Sequence, residues 1–175
     1  MLEIQDAPPA SRLVLRGDAE VAARAGAAIG LALPLAPHAT AAAGDRAALW
    51  LGPDEWLLLA PPDGLAVCLD GLPHSLVDVS DGFLALILRG PAAARALSAG
   101  CLLDLHTAAF PPGMATRTVL GRAGIILWRL DDNEWRVEIG RSFADYGRGF
   151  LTEAARGIQE SMFFFEKKNQ KTIVR

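Results

Sequence analysis

An internal repeat limits the folds that this chain can adopt. The tripeptide Leu-Arg-Gly at residues 15–17 recurs 73 positions later at residues 88–90. Residues 50–56 and 128–135 both begin with Trp and end with Glu-Trp, at offsets of 78 and 79. Two matches in the same order indicate a duplicated unit of this length. Coincident elements of one α+β domain remain the alternative.

Each half of the repeat predicts a strand, a helix, a proline-containing loop, a strand, a turn and a strand. In the first half, Asp18 is the expected N-cap of a helix that ends near Ala28. Val21, Ala25 and Ile29 lie on one face of that helix. The prolines that follow predict an extended loop over residues 31–37.

Further elements follow from apolar patterning and turn signals. The predicted strands are 12–16, 47–50, 56–59, 83–88, 117–120, 125–130 and 135–139, and the other helices are 91–99 and 143–155, the last capped by Ser142. Strands paired by hairpins with inserted helices favour an α+β fold with mixed or antiparallel sheets over a doubly wound parallel sheet. We therefore expect two related strand–helix–hairpin halves, residues 1–76 and 77–159, packed closely together.

The last 16 residues differ in composition from the rest of the chain. All three lysines fall within residues 160–175, whereas residues 1–159 contain 13 arginines and no lysine. This tail also contains Phe163, Phe164 and Phe165, and it lacks alanine, glycine and proline. Two interpretations remain open: a non-native or out-of-frame extension, and a natural C-terminal helix whose phenylalanines pack on a partner.

Charge, cysteine usage and apolar run length exclude several classes of protein. A net charge of −3 provides no basic surface for nucleic acid or an anionic membrane. Cys68 and Cys101 are far apart with no metal-ligand spacing, so neither a disulfide framework nor a zinc site is indicated. The start lacks a secretory signal, and the strongest apolar run is much shorter than the roughly 20 residues of a membrane helix. We expect a soluble cytoplasmic protein.

Candidate catalytic groups are few. Ser80 with His106 and Asp78 or Asp104 is the best nucleophile arrangement, but Ser80 lacks the glycine-flanked elbow that exposes such a serine. His38, His74 and His106 fall on separate loops, whereas a metal site needs at least three convergent ligands. The paired carboxylates at 54–55 and 131–132 belong to predicted turns. We therefore expect no catalytic residue, cofactor site or metal site on this chain.

Arginine and tryptophan side chains are the candidates for contact with another protein, because both are enriched in interface hot spots. The residues singled out for a partner interface are Trp56, Arg117, Trp128, Arg129 and Arg141. Core or hairpin packing is the default interpretation of the tryptophans, which we take to occupy equivalent strand positions of the two halves. For the arginines the alternative is pairing with surface carboxylates.

A series of short motifs resembles the gamma subunit of heterotetrameric sarcosine oxidase over residues 10–156. The segments that carry the resemblance are Leu-Gly-Pro-Asp-Glu-Trp at 51–56, Asp-Val-Ser-Asp-Gly at 78–82, Leu-Arg-Gly-Pro at 88–91, Gly-Cys-Leu-Leu-Asp-Leu-His at 100–106, Phe-Pro-Pro-Gly at 110–113, Arg-Thr at 117–118 and Leu-Trp-Arg at 127–129. The resemblance implies a fold like the folate-binding module of the glycine-cleavage aminomethyltransferase, whose halves are themselves related.

The resemblance also implies a function. The complex demethylates sarcosine oxidatively to glycine, within one-carbon metabolism, and FAD, FMN, NAD, zinc and tetrahydrofolate belong to its alpha, beta and delta subunits. No catalytic residue is carried over to this chain, which we expect to be a non-catalytic subunit that stabilises the flavoprotein assembly. The alternative is a free-standing folate-like binding protein, or an aminomethyltransferase-related enzyme, with a convergent polar pocket between the halves.

Overall fold

Two five-stranded antiparallel sheets form the centre of the structure, a computed structural model that describes the backbone of residues 2–173 and the side chains of residues 2–160. The strands are β1 (Glu3–Asp6), β2 (Arg12–Gly17), β3 (Thr40–Ala43), β4 (Arg46–Gly52), β5 (Glu55–Leu59), β6 (His74–Asp78), β7 (Phe83–Arg89), β8 (Ala115–Leu120), β9 (Ala123–Asp131) and β10 (Glu134–Gly140). The helices are α1 (Ala19–Ile29), α2 (Leu65–Cys68), α3 (Ala93–Ser98) and α4 (Ala144–Ile173). The predicted α+β class with antiparallel pairing is confirmed.

The two sheets have the same internal order of strands. One reads β6-β2-β5-β4-β3 and the other reads β1-β7-β10-β9-β8. Each position in one sheet therefore has a counterpart in the other, as the internal repeat predicts. The duplication is visible in the topology as well as in the sequence.

The edge strands β1 and β6 are exchanged between the halves. β1 precedes β2 along the chain but pairs with β7, whereas β6 precedes β7 but pairs with β2. The predicted boundary after residue 76 therefore needs two corrections. It cuts through β6, which belongs to the first sheet, and it assigns β1 to the first half although β1 completes the second sheet.

The repeated Leu-Arg-Gly motif joins the first strand of each half to the tip of its hairpin. The N–H of Gly17 donates to the carbonyl of Asp54 at 3.0 Å, and the N–H of Gly90 donates to the carbonyl of Asn133 at 2.9 Å. The preceding arginine pairs with an acid of the same turn: Arg16 with Asp54 at 2.8 Å, and Arg89 with Glu134 at 2.7 Å. Glycine is required at Gly17 because a Cβ there would lie 2.5 Å from Cγ1 of Val21. The two copies of the motif thus make the same set of contacts in the two halves.

Among residues 2–160, three clusters of buried side chains fill the space between the layers. One packs the second sheet against α3 and α4, and another packs the first sheet against α1 and α2. The third lies between the two sheets and takes residues from both. The order of layers is therefore helix, sheet, sheet, helix.

The predicted elements agree with the structure in their centres and differ at their ends. Asp18 caps α1 as predicted, accepting from the N–H groups of Glu20 and Val21 at 3.0 Å. Ser142 does not cap the last helix, because it lies within a 3₁₀ turn over Arg141–Phe143 and α4 begins at Ala144. The sequence also gives no signal for β1, β3 and β6, which are short edge strands with mostly exposed side chains.

The last helix continues well beyond its predicted end near Ala155. Its backbone runs through residue 160 to Ile173 without a break. The predicted phenylalanine cluster at Phe163, Phe164 and Phe165 lies outside the residues whose side chains the structure describes. The origin of residues 160–175 therefore stays an open prediction.

Candidate partner-binding surface

Three of the five predicted interface residues lie inside the chain. Trp56 is 1% exposed and donates its indole N–H to the carbonyl of Pro34 at 2.7 Å. Trp128 is 8% exposed in the core between the sheets, and Arg129 is 4% exposed. Packing accounts for these three side chains, so they do not offer a surface to a partner. Arg117 and Arg141 are exposed and remain candidates.

The tryptophans do not all occupy equivalent positions, contrary to the prediction. Trp56 lies opposite Trp50 in the first sheet, whereas Trp135 lies opposite Arg129 in the second. Arg129 therefore takes the place of Trp50, and Trp128 points to the other face of the sheet. The signal was present in the sequence, since the offsets of 78 and 79 differ by one residue, and a shift of one residue reverses the face of a strand.

Arg129 fixes an irregular segment, residues 101–114, that connects α3 to β8. Its guanidinium lies 4.8 Å from the centre of the Trp135 ring, an attractive cation–π arrangement. Its N–H groups donate to the carbonyls of Leu105 (3.5 Å), Phe110 (2.7 Å), Asp131 (3.3 Å) and Asp132 (2.8 Å) and to the Thr107 hydroxyl (3.0 Å). A buried guanidinium is tolerated only when such acceptors satisfy it. The role of Arg129 is therefore to order this segment from inside.

A cleft of about 330 Å³ opens between the sheets. Its lining is mostly apolar, with Arg117 the charged member of the set: Val14, Leu51, Leu57, Phe83, Arg117, Thr118, Gly124, Ile125 and Ile126. Arg117 reaches across to Glu55 and donates two hydrogen bonds to its carboxylate. The hydrogen bond from Arg117 lowers the pKa of Glu55, although partial burial opposes the shift. Because its described lining is mostly apolar, this cleft is not the convergent polar pocket that the folate-like alternative predicts.

A buried ion triad joins the two sheets. Arg12 of β2 donates from Nε to Oε2 of Glu138 on β10 at 2.7 Å, and Arg136 donates from Nε to Oε1 at 2.7 Å. Glu138 is 1% exposed. Two guanidinium groups thus share one carboxylate, and Nη2 of Arg136 is buried without a partner. The triad links the two halves electrostatically as well as by packing.

The candidate nucleophile is part of a turn. The Ser80 hydroxyl accepts from the N–H of Arg12 at 2.8 Å, and hydrogen bonds from the Ser80 hydroxyl and N–H lower the pKa of Asp78. The ring of His106 accepts instead from the N–H of Ala108 at 3.3 Å. No hydrogen bond joins Ser80 to His106 among the described side chains. Within those side chains, no three His, Cys, Asp or Glu residues come together as a metal site.

Known proteins resemble this chain in both sequence and fold. A family model described as "Sarcosine oxidase, gamma subunit family" matches residues 16–157. The chain belongs to this family. Two relatives agree: it is 39% identical over 134 residues to sarcosine oxidase subunit gamma of Arthrobacter sp., and 38% identical over 136 residues to that of Corynebacterium sp. (strain U-96).

These gamma-subunit relatives are longer than the matched region. Each alignment covers 73% of this chain, and it covers 66% of the Arthrobacter protein and 65% of the Corynebacterium protein. The chain therefore spans just under two thirds of the length of these relatives. Among the described residues, no helix combines the length and apolar character needed to cross a membrane.

Solved structures support the same family and fold. A chain of the heterotetrameric sarcosine oxidase of Corynebacterium sp. U-96, in complex with pyrrole 2-carboxylate, matches with a TM-score of 0.82 and 32% identity. That match covers 87% of this chain and 83% of the other. Aminomethyltransferase T of the Bartonella henselae glycine cleavage system matches with a TM-score of 0.63 at 12% identity, over 86% of this chain and 45% of that one. The predicted aminomethyltransferase-like fold is confirmed.

Proposed function

We propose that this gamma-family chain is a non-catalytic subunit of a cytoplasmic sarcosine oxidase complex, where it stabilises the flavoprotein assembly. The complex demethylates sarcosine oxidatively to glycine. FAD, FMN, NAD, zinc and tetrahydrofolate are held by its alpha, beta and delta subunits. The observation that carries the proposal is the match along most of the chain to one chain of a heterotetrameric sarcosine oxidase.

The side chains of the described region support a role in assembly. Ser80 and His106 are engaged in local turns, and the buried arginines are used to hold sheets and loops together. Large apolar side chains are exposed in both halves, at Leu35, Val67, Val77, Leu102, Leu103, Val119 and Phe143.

Co-purification tests the proposal. The full chain would be tagged in its native organism, and the eluate would be measured for flavin absorbance, subunit masses and oxygen consumption with sarcosine. We expect a yellow complex with larger subunits that consumes oxygen on addition of sarcosine. The same preparation from an untagged strain is the control for nonspecific capture.

A colourless chain eluting alone would overturn the proposal. The same sample would then be titrated with tetrahydrofolate, because the folate-like alternative predicts saturable binding by the free chain. A yellow complex that does not oxidise sarcosine but oxidises another N-methyl amino acid would overturn the substrate and retain the role in assembly.

A further inference from the structure

Two buried N–H donors of the second sheet have no hydrogen-bond acceptor within the described part of the chain. They are Nη2 of Arg136 on β10 and Nε1 of Trp128 on β9. Arg136 and Trp128 lie directly opposite each other in the β9–β10 pair. Side chains opposed in this way project from the same face of the sheet, with Cβ atoms about 4.5–5.5 Å apart. Buried donors without an acceptor are rare because each costs free energy, so a neighbouring pair of them calls for an explanation.

We propose that Arg136 and Trp128 form an intersheet anion site, which binds one small monovalent anion of halide size between the two sheets. Both side chains are hydrogen-bond donors without an acceptor nitrogen or oxygen, so the group that they hold must accept hydrogen bonds. Arg136 supplies the positive charge and one N–H group, and Trp128 supplies a second N–H group. This inference does not depend on the proposed function.

The intersheet anion site lies in the layer that joins the two halves. Trp128 is 8% exposed and belongs to the core cluster that both sheets share. Nε of Arg136 donates to Oε1 of Glu138, and the other oxygen of Glu138 accepts from Arg12 of the first sheet. The guanidinium of Arg136 therefore lies between the sheets, as Trp128 does. The Arg136 side chain is 13% exposed, so a small ion can reach it from solvent.

The charge balance of this layer favours an anion over a water molecule. The two guanidinium groups of Arg12 and Arg136 share the single carboxylate of Glu138, which leaves a net charge of +1. The other carboxylate of β10, that of Glu134, is paired with Arg89 at 2.7 Å. A buried charge is costly unless an opposite charge compensates it. One monovalent anion brings the net charge of the triad to zero, whereas a water molecule does not.

The internal repeat shows that the fold does not require charged side chains in this layer. Aligning the Glu-Trp pairs of the two hairpins places Leu57 and Leu59 at the positions of Arg136 and Glu138. Both leucines are buried in the core between the sheets. Apolar replacement of buried charges is often neutral or stabilising, so packing and stability alone do not account for the charged groups of the second half. A bound ion does account for them.

Thermal unfolding of the purified full chain at constant ionic strength tests the proposal. Sodium chloride would replace sodium gluconate in steps, because gluconate is too large for a buried site. We expect the melting temperature of the wild-type chain to rise by about 3–5 °C for each tenfold increase in chloride above its dissociation constant. Crystals of the full chain grown in bromide should show an anomalous-scattering peak in contact with Nη2 of Arg136.

Three variants locate the effect. Arg136→Met removes the excess charge and leaves Arg12 paired with Glu138, so its melting temperature should not depend on chloride. The matched control Arg95→Met removes one exposed cation from α3 and should respond to chloride as the wild type does. Trp128→Phe removes one donor and should need about tenfold more chloride for the same rise in melting temperature.

Each other outcome overturns the proposal. A wild-type melting temperature that is independent of chloride would leave a water molecule as the acceptor. Equal responses of the wild type and Arg136→Met would place the anion elsewhere, and an equal loss of response in Arg95→Met would indicate general screening of surface charge. If Arg136→Met does not fold, the Trp128→Phe titration and the bromide peak decide the question, since an unchanged titration or a missing peak would refute the site.

Discussion

The buried triad of Arg12, Glu138 and Arg136 gives the sharpest test of how the two halves are held together. Glu138→Gln removes the one carboxylate that the two guanidinium groups share, while it preserves the size of the side chain. Glu138 is 1% exposed, and the Arg12 and Arg136 side chains are 6% and 13% exposed, so water screens the uncovered charges poorly. Removing one partner of such a pair costs about 3–5 kcal/mol.

The loss is measured by urea unfolding of the purified full chain at neutral pH. For a domain of this size, each kcal/mol lowers the melting temperature by about 2–4 °C, so thermal unfolding provides a second measurement. The control is the triple variant Arg12→Met, Glu138→Leu and Arg136→Met, which replaces all three charges with apolar side chains. Such replacements are often neutral or stabilising, so the triple variant should be more stable than Glu138→Gln alone.

A loss below about 1 kcal/mol in Glu138→Gln would refute the reasoning, because that is the range of exposed ion pairs. A triple variant that is less stable than Glu138→Gln would refute the second expectation, that replacing all three charged side chains with apolar ones is neutral or stabilising. In that case the charged groups would contribute more to stability than their desolvation costs.

Two further predictions concern the repeat and the cleft. Gly17→Ala should destabilise the chain by about 1–3 kcal/mol in urea unfolding, because the added Cβ would overlap the Val21 side chain. The control Gly82→Ala has open space around the added Cβ and should change the stability little. Equal losses of stability in the two variants would contradict this account. Arg117→Gln should remove about 0.2–1 kcal/mol at neutral pH, the range of partly exposed ion pairs. The pKa of Glu55 lies below its ordinary 4.5 in the folded chain, so the ion pair stabilises above about pH 4.5 and is lost as the pH falls further. The difference between wild type and Arg117→Gln should therefore shrink in acid, and a difference that grows in acid would contradict the assignment.

The repeat identified in the sequence indicated two related halves correctly because its Leu-Arg-Gly motif makes the same contacts in each half. The backbone bonds of Gly17 and Gly90 to their hairpin tips require the same residue at the same place in each half. Apolar patterning located the central strands and the first helix for a similar reason, since these elements have one face in a core. The edge strands β1, β3 and β6 carry no such pattern and were not predicted.

The candidate interface was predicted less well. Tryptophan and arginine are frequent in interfaces, but Trp56, Trp128 and Arg129 are buried, and composition does not distinguish a hot spot from a core residue. The leucines at 102 and 103 were part of the motif that carried the family resemblance. Their exposure depends on the burial of Cys101 and Leu105 on either side, which only the folded chain shows.

The sequence by itself determined the α+β class, the two related halves and the family, because each of these depends on local pattern and on ordered motifs. Only the tertiary structure decided which face each strand side chain occupies, which edge strand completes which sheet, and where the ion triad forms. These depend on long-range pairing. A shift of one residue in register moves a side chain such as Trp128 from one face of a sheet to the other, and the free energy that selects the register comes from cores assembled by residues far apart in sequence.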